Sequence, residues 1–306
     1  MIKVKKRHTF TGHSAAVYAL EQSAESHLFY SGSGDKFIAQ WNLETMQAEK
    51  FAAQLPSIIY TICFVKEKNS LLIGTAAGSI HVIDLSKKEE IKILQHHTEA
   101  VYNIHYHFES GLFYSVAGDG NFAVCSLETF SLLKIKKIAS AKVRGVAIHE
   151  RDNSIAIASS DGFIRIFDLV SMEQKLEFEA HKMAANCVRY SPDGRFLLSG
   201  GRDAHLNVWD VKANYRLLQS IPAHNFAIYD IVYSPDGKLF ATASRDKAMK
   251  IWNSQTFELL LRVNKEKQDG HVNSVNKLLW TKLPEFLIST GDDRSIMVWE
   301  ILMGQS

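Results

Sequence analysis

A histidine, a hydroxyl residue and an aspartate at fixed spacing are the residue types of a nucleophilic triad. In such a triad an imidazole takes the hydroxyl proton while a carboxylate orients the ring. This chain carries the set several times. His13, Ser31 and Asp35 are followed by Trp41, and His181, Ser199 and Asp203 by Trp209. His224, Thr242 and Asp246 precede Trp252, and His271, Ser289 and Asp293 precede Trp299. His97, Ser115 and Asp119 keep the spacing, with Cys125 in the tryptophan position. From His to Asp the separation is 22 in all five sets, and from Asp to the Trp or Cys position it is six. An enzyme needs one reacting site rather than five equivalent ones. The repetition therefore argues for structure and against catalysis.

The elements that must hold these residues are short strands. In Ala180–Asp210, apolar alternation marks strands at Asn186–Tyr190, Phe196–Ser199 and Leu206–Trp209. Between the first two, Pro192-Asp193-Gly194 sets a tight turn. One such piece has an apolar face that it cannot bury alone. Copies follow the same plan, with the residue after the Trp-type position falling at Asn42, Asp84, Ser126, Asp168, Asp210, Asn253 and Glu300. The intervals are 42 or 43 residues, with a last one of 47 where Lys265–Gln268 is inserted. Two copies are degenerate. Repeat 4 keeps Asp161 but has Ala139 and Phe167 at the His and Trp positions, and repeat 2 has Leu55, Ile73, Ala77 and Ile83 at the four places.

A period near 40–45 residues with four strands per unit is the signature of a propeller blade. Over essentially its whole length the chain resembles the WD-repeat (WD40) β-propeller family. The resemblance implies an all-β, seven-bladed β-propeller of four-stranded antiparallel blades forming one domain, 1–306. Repeat units fall at about 10–42, 52–84, 94–126, 136–168, 178–210, 221–253 and 268–300. Residues 1–9 have no preceding repeat, and the resemblance implies that they close blade 7 as its outer strand. It also implies a hydrogen-bonded network in each blade, running from Asp to His to the hydroxyl to the indole N–H. Stranding one member of a buried network costs about 1–3 kcal/mol, and truncating the tryptophan roughly 3–5 kcal/mol. Blades 1, 5, 6 and 7 have all four positions filled. Blades 2 to 4 do not, and are expected to exchange their amide protons faster.

Composition narrows the function. With 306 residues, 46% hydrophobic and 22% charged, the chain reads as an ordinary globular protein. A formal net charge of +2 gives no basic surplus for nucleic acid or an anionic membrane. The longest uncharged runs, 51–65 and 69–83, fall short of the roughly 20 apolar residues of a membrane-spanning helix. The basic N-terminal residues have no apolar stretch behind them, so no signal peptide is expected. Cys63, Cys125 and Cys187 lie within strand patterns and are odd in number, which suits free thiols and a cytoplasmic location. His96, His97, His105 and His107 cluster without a Cys or carboxylate set to complete a zinc geometry. No helix of useful length and no phosphate-cradling glycine loop is predicted, so neither a metal nor a cofactor is expected.

Resemblance to the family assigns three positions per blade to the top face: three and five after the His, and one before the Asp. The five-after set reads Tyr18, Tyr60, Tyr102, Arg144, Asn186, Tyr229 and Asn276. Lys142 stands out in the three-after set, and Arg202, Arg245 and Asp292 in the one-before set. Together they describe a funnel with tyrosines on one side and cations on the other. Gly34, Ala76 and Gly118 beside the tyrosines leave the rings uncovered. Tyr and Arg are the residue types enriched in binding hot spots. The expected function is a non-enzymatic scaffold that binds an acidic peptide or protein segment, as a monomeric propeller within a larger assembly. The bland alternative is that the tyrosines merely line a water-filled channel. A propeller-type hydrolase or lactonase would need carboxylates or histidines at the channel mouth, where Asp292 is the one acid read at these positions. Nucleic-acid binding would need a basic stripe, which is missing.

Overall fold

A strand that is apolar on both faces needs a packed neighbour on each side, and sheets set radially around an axis give it two. The computed structural model describes residues 2–282 and 285–303, and arranges their strands in seven separate four-stranded antiparallel sheets. Six sheets take their strands in chain order; the seventh runs Ile2–Phe10, Ile296–Met303, Phe286–Gly291, Val275–Trp280. Among the described residues the only α-helix is the single turn Lys265–Gln268, which accommodates the insertion between blades 6 and 7. The chain is thus an all-β propeller of seven blades.

The core is not inside the blades but between them. Seven apolar clusters are present, and each joins residues of two adjacent blades. Phe113 and Cys125 of blade 3, for example, pack with Val65, Leu72 and Val82 of blade 2. Phe10, Ile288 and Val298 of blade 7 pack with Phe29 and Trp41 of blade 1. At roughly 1.5–3 kcal/mol for each fully buried large apolar side chain, a blade without its neighbours loses most of its stabilisation.

Closure of the ring follows from the first strand. Ile2–Phe10 pairs antiparallel with Ile296–Met303, in a register that sets Val4 opposite Ile301 and Phe10 opposite Ile296. This is the arrangement implied for residues 1–9, of which Met1 lies outside the described residues. The Lys6 ammonium reaches Asp269 in the blade 6–7 connection, so the closing strand is also tied at its flank.

The repeated polar sets form the networks expected of them. In blade 1, Trp41 Nε1 donates to Ser31 Oγ at 2.7 Å, Ser31 Oγ meets His13 Nε2 at 2.7 Å, and His13 Nδ1 meets Asp35 at 2.9 Å. Blades 5, 6 and 7 repeat it through Trp209, Ser199, His181 and Asp203, through Trp252, Thr242, His224 and Asp246, and through Trp299, Ser289, His271 and Asp293. An indole N–H can only donate, so the hydroxyl accepts it and points its own proton at Nε2, leaving Nδ1–H for the carboxylate. Ser31, Ser199, Thr242 and Ser289 are fully buried. None of these hydroxyls can reach a substrate, which removes the triad reading on physical grounds. The residue after the Trp position serves the next turn: Asn42 Oδ1, Asp84 Oδ1, Asp168 Oδ1 and Asn253 Oδ1 each accept the amides two and three residues on.

Blades 2 to 4 depart from the sequence expectation, because each rebuilds the node from other residues. In blade 3, His96 Nε2 approaches Ser115 Oγ at 3.2 Å beside the His97 contact at 2.8 Å, filling the role of the missing indole while Cys125 fills part of its volume. In blade 2, His81 on the third strand meets Ser79 at 2.9 Å and Glu90 at 3.2 Å, and Ser79 meets Thr75 at 2.6 Å. In blade 4, Arg165 donates to Ser159 Oγ at 2.7 Å and to Asp161 at 2.8 Å, with Glu177 at 2.6 Å behind it. His81 and Arg165 occupy equivalent places on their strands. A polar node is therefore kept in every blade.

Two outcomes test this description. Deleting residues 1–9 exposes the edge of Ile296–Met303, and an aggregating or unfolded product is expected on gel filtration; a monomer with unchanged melting temperature would contradict it. Arg165→Met removes the guanidinium donor of Ser159 and Asp161 from the buried node, and amide exchange in blade 4 alone is expected to speed up by about tenfold, near 1.4 kcal/mol. Unchanged protection there would show that the rebuilt node carries no stability.

Candidate docking face and channel

Every inner strand breaks its ladder at the same point. The register shifts between Val17 and Ala19, Ile59 and Thr61, Val101 and Asn103, and Val143 and Gly145. It does so again between Ala185 and Cys187, Ile228 and Asp230, and Val275 and Lys277. The skipped residues are Tyr18, Tyr60, Tyr102, Arg144, Asn186, Tyr229 and Asn276, which is the whole five-after-His set. A bulged residue has no cross-strand partner, and its side chain is re-aimed. All seven line a central cavity of about 620 Å³.

Four of them form a continuous arc. The Tyr18 and Tyr60 ring centroids are 5.1 Å apart, those of Tyr60 and Tyr102 are 5.3 Å apart, and the Arg144 guanidinium lies 4.7 Å over Tyr102. Arg144 is held by its Nε bond to Ser160 Oγ at 3.1 Å. A Cβ at Gly34 or at Gly118 would sit in ordinary contact, 3.5 Å from the Tyr18 or the Tyr102 ring, and at Gly118 the Glu99 carboxylate would have to move aside. Burial raises the Tyr18 hydroxyl pKa, helped by Asp292, and raises that of Tyr60, so both stay protonated donors. The asparagines do other work. Asn186 Nδ2 donates to Ile228 O at 3.0 Å and Asn276 Nδ2 to Val17 O at 3.2 Å, each bridging to the next blade around the ring.

Lys142, Arg202 and Arg245 are not brought into this group. They are exposed on the loops around the mouth, outside the cavity lining, with Arg245 stacked 5.9 Å over Phe226. Sequence reasoning also passed over the apolar residues beside them. Met183, Phe226 and Val272 are 45%, 57% and 46% exposed on the loops that enter the inner strands of blades 5, 6 and 7. The available signal was their apolar character at loop positions: Met183 and Phe226 stand where other repeats carry Ala15 or Glu99, and Val272 where they carry Ser14 or Thr98.

Below the arc lies a second polar layer, which adds acids to Asp292, the one acid at the top-face positions. Glu21, His105, Arg189, Asp230 and Lys277 also line the cavity. Lys277 Nζ pairs with Asp230 Oδ1 at 3.0 Å, the Leu278 amide donates to Asp230 Oδ2 at 3.0 Å, and Arg189 Nε donates to Ile231 O at 3.1 Å. The bulge explains the miss: it shifts the alternation, so Tyr18 and Glu21, three apart, face the same lumen. Burial pushes the Glu21 carboxyl up to about 8, against the pull of Lys277 and Arg189. Burial also pushes His105 down to about 3, with Arg189 and Lys277 adding to the effect.

The four clustered histidines diverge. His96 and His97 turn to Ser115, His105 faces the lumen, and His107 Nδ1 accepts the Ser110 amide at 3.3 Å. Among the described residues no group of three or more His, Cys, Asp and Glu side chains is placed to hold a metal ion. Cys63, Cys125 and Cys187 are buried free thiols, Cys125 pushed up to about 12 by burial. No helix among the described residues is long and apolar enough to cross a membrane.

A family model described as "WD domain, G-beta repeat" matches residues 4–42, 133–168, 172–210, 215–253 and 263–300. Pre-mRNA-processing factor 19 of Bos taurus is 23% identical over 163 residues, covering 53% of this chain and 32% of that protein. WD repeat-containing protein SL1-17 of Schistosoma mansoni is 24% identical over 250 residues, covering 68% of this chain and 83% of that protein. Transcription initiation factor TFIID subunit 5 of Caenorhabditis elegans is 22% identical over 202 residues, covering 66% of this chain and 24% of that protein. The match thus spans about a third of the length of the processing factor.

The titrations in and around the channel carry a stability signature. Burial holds His96 near 4 and His105 near 3, and also depresses His97 and His224, whereas an unfolded chain protonates at about 6.5. The unfolded state therefore binds more protons as pH falls below about 6.5, and stability declines through that window. Below about 4 the depressed network aspartates, Asp246 at about 2, extend the loss. The melting temperature is expected to drop steadily from pH 6.5 to 4, and less steeply in His105→Gln. A flat profile over that range would contradict these assignments.

Proposed function

The chain belongs to the WD40 repeat family, and from that premise we propose that it is a non-enzymatic scaffold docking an acidic protein or peptide segment on its top face. The observation that carries this reading is the arc of Tyr18, Tyr60, Tyr102 and Arg144 at the cavity mouth, half-buried and in mutual contact. Tyrosine offers area with a polar tip at small entropic cost, and such residues dominate interface energetics. Lys142, Arg202 and Arg245 around the mouth supply the charge that selects an acidic segment, and Met183, Phe226 and Val272 supply apolar anchors. Proteins of this family are generally interaction or scaffold proteins, and the name of the TFIID relative is that of a subunit. A hydrolase finds less support, because Asp230 and Asp292 are each already engaged by a protein donor, which leaves Glu21 as a single acid in the lumen rather than a pair. The buried thiols suit a cytoplasmic location, and a monomeric propeller inside a larger assembly suits the top-face site.

Affinity capture tests the reading, with the wild type beside Y18A/Y102A/Y229A/R202A and, as control, Leu133→Ser on the outer strand of blade 3. Partners are expected to fall at least about tenfold with the quadruple variant, given typical hot-spot losses above 1–2 kcal/mol, and to persist with the control. Recovery of the same partners by all three baits would overturn the top-face assignment.

A further inference from the structure

The channel beneath the arc holds charges that the protein itself does not pair. Among the described residues neither Arg189 nor Glu21 forms an ion pair, although both line the same lumen. Among the described residues Arg189 gives only its Nε to a protein acceptor, with no bond from either Nη group. Lys277, by contrast, is matched by Asp230. The lumen thus carries the cations Arg144, Arg189 and Lys277 against the anions Asp230 and Asp292, with Glu21 as the group that decides the balance. With Glu21 uncharged, one positive charge is left over, which suits a single negative charge and disfavours a dianion.

A guanidinium presents a planar fork that fits a carboxylate at two points. A carboxyl group facing it in protonated form can donate its proton to the same ligand, which an ionised one cannot. The remaining wall is mixed: Cys63, Val232 and Leu279 are apolar, and the tyrosines line the mouth. A volume of about 620 Å³ is that of a small-molecule site, in the general range of about 300–1,000 Å³. We propose that the channel beneath the tyrosine arc binds a small organic acid, its carboxylate held between the Arg189 guanidinium and the Glu21 carboxyl.

The groups around Glu21 set the pH dependence. Lys277 and Arg189 face it from the inner strands of blades 7 and 5, and the Cys63 thiol from that of blade 2. Tyr30 is its register partner, and Phe286–Gly291, the remaining neighbour strand, has no ionisable side chain. Burial holds the Glu21 carboxyl at about 8 in spite of the two cations. It is a donor at pH 7 and a second anion at pH 9, so the site loses its carboxylate as pH rises through 8.

The test is an NMR titration of the full chain with benzoate at low salt, with inorganic phosphate and the uncharged methyl benzoate as comparison probes. Saturable shifts at Glu21, His105 and Arg189 are expected with benzoate alone, weakening about tenfold between pH 7 and pH 9. Arg189→Gln should abolish binding and Arg189→Lys, which keeps charge without the fork, should weaken it. Glu21→Gln keeps a neutral donor, so it should bind benzoate with the pH dependence gone. The proposal is overturned by no saturable shift up to about 20 mM benzoate, well beyond a millimolar Kd. Undiminished binding in Arg189→Gln, or an unaltered pH profile in Glu21→Gln, would overturn it as well. Arg189→Gln leaves the tyrosine arc and the loop cations in place and should capture the same partners as the wild type, so failure of this site and failure of the top-face reading are separable.

Discussion

Each blade of this protein is apolar on both faces, and its neighbours supply the other half of every core. All seven apolar clusters straddle two blades, so no sheet owns enough buried area to persist alone. The ring must therefore be complete, and its completion depends on the pairing of Ile2–Phe10 with Ile296–Met303. That pairing removes an open sheet edge and also buries Phe10 in the cluster shared with blade 1. Closure and core formation are one event.

Within that constraint the blades are free in detail but not in kind. Four blades use Trp, hydroxyl, His and Asp; blade 2 uses His81 with Glu90, blade 3 adds His96, and blade 4 uses Arg165 with Asp161 and Glu177. What is kept is a polar node in each blade; in blades 3 and 4 it is incompletely satisfied, with the buried His96 Nδ1 making no hydrogen bond among the described residues and Arg165 Nε meeting Glu177 as an ion pair without hydrogen-bond geometry. The inner-strand bulge is the second shared device. By releasing one residue per blade from the ladder it gives the channel mouth seven side chains whose identity the sheet does not dictate. In blades 1 to 4 these form an aromatic and cationic arc, and in blades 5 and 7 they are asparagines that bridge to the next blade.

Much of this was legible in the residues. The spacing of His, Asp and Trp gave seven repeats, and the unowned opening segment pointed to the closing strand. The five-after-His position proved to be the bulged one in every blade, including blades 2 and 4, which have Leu55 and Ala139 at the His position. Three things were not legible. The rebuilt nodes come from third-strand residues and from a neighbouring histidine, none of which sits at a marked position, and the sequence therefore read blades 2 to 4 as deficient. Glu21, Arg189 and Lys277 were missed because alternation with period two does not survive a bulge. Lys142, Arg202 and Arg245 read as the side of the rim opposite the tyrosines; they are exposed on loops outside the cavity lining, a distinction that spacing alone does not give for long side chains.

The most direct measurement is of closure itself. Val4 and Ile301 are register partners whose side chains join the same apolar cluster. A Val4→Cys/Ile301→Cys chain should oxidise to an intramolecular disulfide without denaturant, and the link should raise the melting temperature by several degrees, as expected when about 2–4 kcal/mol of loop closure is removed from the unfolded state. A pair that will not cross-link in the native protein, or a cross-link that leaves the melting temperature where it was, would contradict a ring locked by its first and last strands.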